Sequence, residues 1–207
     1  DTIPPEIHIT HPTEGMAVNS STLNVTGTII DQNIDTVTVE VNSGPPQLLA
    51  LTGNDFGGGV TLSPGSNTLT FHAVDKAGNT GGALSSVLLD VELPAVAITA
   101  PQLGSIISGV VTITAEASDT ASGITSVTLY VDGQIKATLN QPPFNFTVDT
   151  SGFAPGSHTV TARAVDGAGN QSEASITITV VEPISIEITS PANGGTINKS
   201  SIIIQGR

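Results

Sequence analysis

The residues with the most chemistry to offer in this 207-residue sequence are its aspartates. Asp119 and Asp166 each end a stretch of alternating apolar residues, and Asp31 and Asp75 stand at the equivalent points about ninety residues earlier, accompanied by Asp1 and Asp35. Calcium takes six to eight oxygens, several of them from carboxylates. Aspartates gathered at one end of a domain, with Glu92 entering from a linker, would suit it. The expected ligands are therefore Glu92, Asp119 and Asp166, with Asp31 and Asp75 as their counterparts. The same residues also have an ordinary use. Asp75-Lys76-Ala77-Gly78-Asn79 and Asp166-Gly167-Ala168-Gly169-Asn170 make good hairpin turns unaided, the Asp bonding local amides and Gly or Asn taking positive φ.

Other chemistries find less support. Asp149-Thr150-Ser151-Gly152 reads like the loop of an aspartic protease, but that reaction needs two such carboxylates sharing a proton, and there is no second copy. A turn is expected instead. His8, His11, His72 and His158 are spread over different strands with no metal-ligand spacing, and no nucleophile motif accompanies them for a Ser-His-Asp triad. An intramolecular isopeptide bond would need a buried lysine beside Asn or Asp, and of Lys76, Lys136 and Lys199 the first lies in a turn. Stacking on a sugar ring uses Trp or Tyr; Trp is absent and Tyr130 is the only tyrosine. No catalytic or cofactor-binding residue is expected, and calcium is the one candidate ion.

Composition sets the wider frame. Five basic against eighteen acidic residues give a net charge of -13, which repels phosphate backbones and anionic lipids. Nucleic acid is not an expected partner. No apolar run reaches the roughly 18 residues of a membrane span, so membrane insertion is not expected either. Zero cysteine excludes disulfides and thiolate metal sites. Hydrophobic residues at 38% and a mean hydropathy of +0.21 are enough for a core, and 28 Thr with 20 Ser favour strands over helices.

These aspartates must be positioned by a repeated unit. His72-Ala73-Val74-Asp75-Lys76-Ala77-Gly78-Asn79 returns as Arg163-Ala164-Val165-Asp166-Gly167-Ala168-Gly169-Asn170, and Ile-Thr-x-Pro recurs at Ile9–Pro12, Ile98–Pro101 and Ile188–Pro191. The period of about ninety residues divides the chain into repeat one (1–92), repeat two (93–182) and the first two strands of a third (183–207). Apolar residues alternate with period two, the mark of strands with one buried face. Val37, Val39 and Val41 match Val127, Leu129 and Val131; Leu69, Phe71 and Ala73 match Val160, Ala162 and Ala164; Val87, Leu89 and Val91 match Ile176, Ile178 and Val180. With less regular strands near Leu48–Thr52 and Ile135–Val148, about seven strands per repeat predict all-β Greek-key sandwiches. The linkers Val91-Glu92-Leu93-Pro94 and Val181-Glu182-Pro183 are too short and proline-stiffened to fold the units side by side, so an end-to-end arrangement is expected.

The opening Pro94-Ala95-Val96-Ala97-Ile98-Thr99-Ala100-Pro101, Ser118-Asp119-Thr120-Ala121-Ser122-Gly123-Ile124, Pro143-Phe144-Asn145-Phe146-Thr147 and the Asp166–Asn170 turn resemble bacterial immunoglobulin-like tandem repeat domains. The resemblance covers all of repeat two. Repeat one departs in its middle, at Asn54-Asp55-Phe56-Gly57-Gly58-Gly59. What it implies is an exported, extracellular or cell-surface, non-enzymatic module. It would act as stalk, spacer or adhesive segment of a bacterial protein, with neighbouring repeats of the same protein as partners. Two alternatives remain open. One is an accessory region of a secreted enzyme such as a glycosidase or protease. The other is a filament subunit self-associating through 183–207, because Ile186, Ile188 and Ile202–Ile204 would have no sandwich to bury them.

Overall fold

A computed structural model describes residues 2–182 and contains only strands in that range. The expected third repeat, with its isoleucines, lies outside the described residues. Repeat one carries β1 (Glu6–His11), β2 (Met16–Val18), β3 (Thr22–Ile30), β4 (Ile34–Val41), β5 (Gln47–Leu48), β6 (Ala50–Thr52), β7 (Asp55–Thr61), β8 (Gly65–Asp75) and β9 (Thr80–Leu89). Repeat two carries β10 (Ala95–Ala100), β11 (Ile106–Ile107), β12 (Val110–Ser118), β13 (Ile124–Val131), β14 (Gln134–Leu139), β15 (Phe144–Asp149), β16 (Gly156–Asp166) and β17 (Gln171–Val180). In repeat one the sheets run β1-β3-β7-β6 and β2-β9-β8-β4-β5; in repeat two they run β10-β12-β15 and β11-β17-β16-β13-β14. Both are immunoglobulin-like sandwiches.

The strand count exceeds seven because single strands change sheets. After β1 pairs antiparallel with β3, the chain passes Pro12 and returns as β2, parallel to β9; β10 and β11 repeat the manoeuvre against β12 and β17. The Leu48–Thr52 stretch likewise divides, β5 pairing with β4 and β6 with β7, while buried Leu49 sits between them. The alternating residues form the cores as expected, with Val37, Val39, Leu69, Phe71, Val127, Leu129, Val160 and Ala162 all buried. Val91 departs from the pattern. The strand stops at Leu89 and the chain turns, leaving Val91 exposed and Asp90 buried.

The glycine-rich stretch of repeat one is strand β7, with Gly57, Gly58 and Gly59 opposite Thr26, Val25 and Asn24. Its anchor is Phe56, whose ring covers the backbone of its partner Gly27. A Cβ on Gly27 would lie 2.3 Å from Phe56 Cζ and 2.4 Å from the His8 carbonyl oxygen. Gly27→Ala is expected to destabilise repeat one by about 2 kcal/mol, the range of overpacked cores. Calorimetry checks this: the repeat-one transition falls and the repeat-two transition stays.

Among the described residues no sheet spans the two repeats, and their buried cores share no residue. What joins them is a short polar junction between the loops at one end of each sandwich.

Candidate functional site

The site is built where strands end. In repeat two β12 and β16 both run out at the pole facing repeat one, which delivers Asp119 and Asp166 to the same place. The linker supplies the third acid, Asp90. One carboxylate oxygen from each of Asp90, Asp119 and Asp166 lies within 4.8 Å of those of the other two. Asp90 and Asp166 are each 2% exposed.

Each carboxylate is held by neutral donors. Asp166 Oδ1 accepts the amides of Ala168 (2.9 Å) and Asn170 (2.8 Å), and its Oδ2 accepts Asn170 Nδ2 at 2.8 Å. Asp119 Oδ1 accepts the amides of Ala121, Ser122 and Gly123. Burial pushes the Asp119 carboxyl upward, but the backbone N–H groups of Ser122, Gly123 and Ala121 outweigh it and leave its pKa below the usual carboxylate value. Gly167 permits the closeness of the turns, for a Cβ there would stand 2.5 Å from the Ser122 carbonyl oxygen.

Asp90 is the residue that belongs to both repeats. Its N–H donates to the Val18 carbonyl of repeat one (2.9 Å). Its own carbonyl accepts Asn170 Nδ2 of repeat two (2.9 Å), and its Oδ2 accepts the Ser122 hydroxyl (2.5 Å). Asn19, on the β2–β3 loop, reaches the Gly169 turn beside it. Downstream of β17 the Val181 N–H makes the matching bond to the Ile107 carbonyl (3.0 Å), but no carboxylate stands there.

Of the residues expected from sequence, Asp119 and Asp166 come together and Glu92 does not join them. Glu92 is exposed and contributes only its amide, which donates to Asp90 Oδ1 at 3.1 Å. Asp75 makes the same turn as Asp166, accepting the amides of Ala77 and Asn79 and the side chain of Asn79. Asp31 accepts the Asn33 amide at 2.6 Å. Among the described residues Asp31 and Asp75 belong to no cluster of three acids. Asp149 is a turn residue, accepting the Ser151 amide. Asp90 is not among the ligands expected from sequence, nor are its bonds to Ser122 and Asn170. The repeat offset carried the signal, since Asp1 precedes β1 as Asp90 precedes β10.

Chemically the cluster can do one of two things. Two oxygens sharing one calcium at about 2.4 Å can be no more than about 4.8 Å apart, so the spacing admits a single ion. Without an ion, Ser122, Asn170 and the turn amides are the donors. Among the described residues no Lys, Arg or His forms an ion pair with any of the three acids.

Comparison with known proteins agrees with the architecture. Residues 94–162 match the family model described as a bacterial Ig domain, and residues 5–91 match that of glucodextranase domain B. Each repeat thus has its own family match, and the bacterial Ig domain match falls on repeat two. These repeats are 29% identical over 154 residues to an ulvan lyase, long isoform, of Pseudoalteromonas sp. (strain PLSV). That match takes in 70% of the chain but only 14% of the lyase. The fibronectin(III)-like modules of Clostridium thermocellum CbhA share the fold, with a TM-score of 0.60 at 22% identity over 86% of this chain and 95% of that one. No helix among the described residues is long and apolar enough to cross a membrane.

Proposed function

We propose that these repeats are a non-catalytic, extracellular spacer of a bacterial protein, and that the Asp90 junction fixes the direction of one repeat against the next. The observation that carries this is the bonding of Asp90 to both sides at once, through Val18 on repeat one and through Asn170 and Ser122 on repeat two. A linker tied at backbone and side chain behaves as part of the sandwiches it connects. The similarity to part of an ulvan lyase and to a glucodextranase domain supports an accessory region of a secreted enzyme as the setting.

Small-angle scattering of the whole chain tests the spacer reading. The longest strand of each repeat has 11 residues, or about 37 Å, so two units end to end span about 75 Å. The radius of gyration is then at least about 23 Å, whereas a compact chain of this length would give about 17 Å. The compact value would overturn the proposal.

The junction also suits calcium as a stiffener, with Asp90, Asp119 and Asp166 as its carboxylate ligands. Extracellular modules bind calcium with dissociation constants of roughly 0.1–1 mM. About 10 mM calcium is therefore expected to stabilise repeat two by about 1.4–2.7 kcal/mol over EDTA, and Asp119→Asn to remove that gain. Identical melts with calcium and EDTA would strike calcium from the proposal and leave the hydrogen-bonded junction standing.

A further inference from the structure

The opposite end of repeat two holds a second polar device. His158, near the start of β16, donates in two directions. Its Nδ1 lies 2.6 Å from Asp132 Oδ2 and its Nε2 lies 2.7 Å from the Ala154 carbonyl oxygen. A carboxylate and a carbonyl oxygen only accept, so both ring nitrogens must carry protons for both bonds to form. With both bonds made, the ring is an imidazolium; it is 12% exposed and packed against Phe153 at 5.4 Å between ring centroids. Asp132 is fixed in turn, sitting at a φ of 51° and accepting the Thr159 amide at 2.9 Å.

Repeat one builds the same clasp without a titrating group. Asn42, at a φ of 54°, stands where Asp132 stands and accepts the Thr68 amide at 2.8 Å. Asn67 stands where His158 stands. It accepts Asn42 Nδ2 (2.9 Å) and donates to the Ser63 carbonyl (2.7 Å), the counterpart of Ala154. The neutral clasp makes its bonds at any ordinary pH.

We propose that His158 is a proton-dependent fastener confined to repeat two. A neutral imidazole has one N–H, so deprotonation sacrifices either the Asp132 bond or the Ala154 bond and lets the 150–156 turn part from the β13–β14 hairpin. That turn matters because Thr150, Phe153 and Pro155 line a small crevice with Val181 and Glu182, where the chain leaves the repeat. The release would loosen the far end of repeat two and leave the Asp90 junction untouched.

The charged groups facing the ring are Asp132, from the turn after β13, and Lys136 of β14. The latter sits over the Phe153 ring at 4.8 Å. The facing parts of β17 and of the 150–155 turn carry no charge. The Ala154 carbonyl, then Asp132, hold the His158 pKa above the ordinary imidazole value. The fastener is therefore complete below about pH 6.5 and is lost as pH rises through the elevated pKa.

Nuclear magnetic resonance of the whole chain tests this. The His158 ring signal is expected to titrate above 6.5. Through the same range, amide-exchange protection of Thr159 should fall relative to that of Thr68, about tenfold for each unit by which the pKa is raised. In the double variant D132N/H158N, which copies repeat one, the ratio should stay constant with pH. A wild-type ratio that holds constant, or a His158 titration at or below 6.5, overturns the proposal whether or not the double variant folds.

Discussion

Phe71→Ala will destabilise repeat one severely and leave repeat two nearly unchanged. Phe71 is fully buried at the centre of the five-stranded sheet, pairs with Val39 and Ala83, and lies 5.6 Å between centroids from Phe56. Removing a buried phenylalanine costs about 3–5 kcal/mol through lost transfer energy and the cavity left behind. A domain stable by roughly 5–15 kcal/mol loses a large share of that margin, and its transition falls by about 15–30 °C. No core residue is shared with repeat two. Calorimetry should accordingly show one transition moving and the other nearly fixed. Both moving together by a similar amount would mean that the repeats are one cooperative unit.

Asp166→Ala is expected to destabilise repeat two by about 3 kcal/mol. The substitution removes the acceptor for the Ala168 amide, the Asn170 amide and the Asn170 side chain, and orphaned donors in buried surroundings cost about 1–3 kcal/mol each. Ser122 and the Asp90 carbonyl still serve Ala168 and Asn170 in part, which keeps the total below a simple sum. A second effect follows from position. Asn170 carries the bond to Asp90, so losing its orientation loosens the junction as well. Asp75→Ala removes the equivalent acceptor from the Asn79 turn and should lower the repeat-one transition. Paired denaturation curves decide the matter. An unchanged repeat-two transition in Asp166→Ala would show that the turn holds itself without the carboxylate.

The sandwiches were legible because burial imposes period two on their strands. Val37 and Val39, or Val127 and Leu129, could face only one way, and the turn motif at Asp75 and Asp166 marked the ends of matching strands. The same rule misplaced the junction. Val87, Leu89 and Val91 continue the alternation and put Asp90 outside, but β9 ends at Leu89 and the backbone rotates, which buries Asp90 and exposes Val91. Glu92 is the acid expected from the linker, yet chain direction rather than sequence proximity decides which side chain points into the pole, and that side chain is Asp90. Strand β7 is obscured by three glycines that lower strand propensity; all three pair with β3, and Gly57 pairs with Ala50 of β6 as well. The His158 clasp joins residues 26 apart through a left-handed turn at Asp132, a juxtaposition that no local pattern announces.

The central claim is that the Asp90 junction makes two sandwiches into one directed unit, and residual dipolar couplings of the backbone amides test it most directly. If the claim holds, couplings from residues 6–89 and 95–180 fit one alignment tensor, with the relative orientation set by the bonds of Asp90 to Val18, Ser122 and Asn170. Two tensors of clearly different magnitude would mean that the repeats reorient independently, and would contradict it.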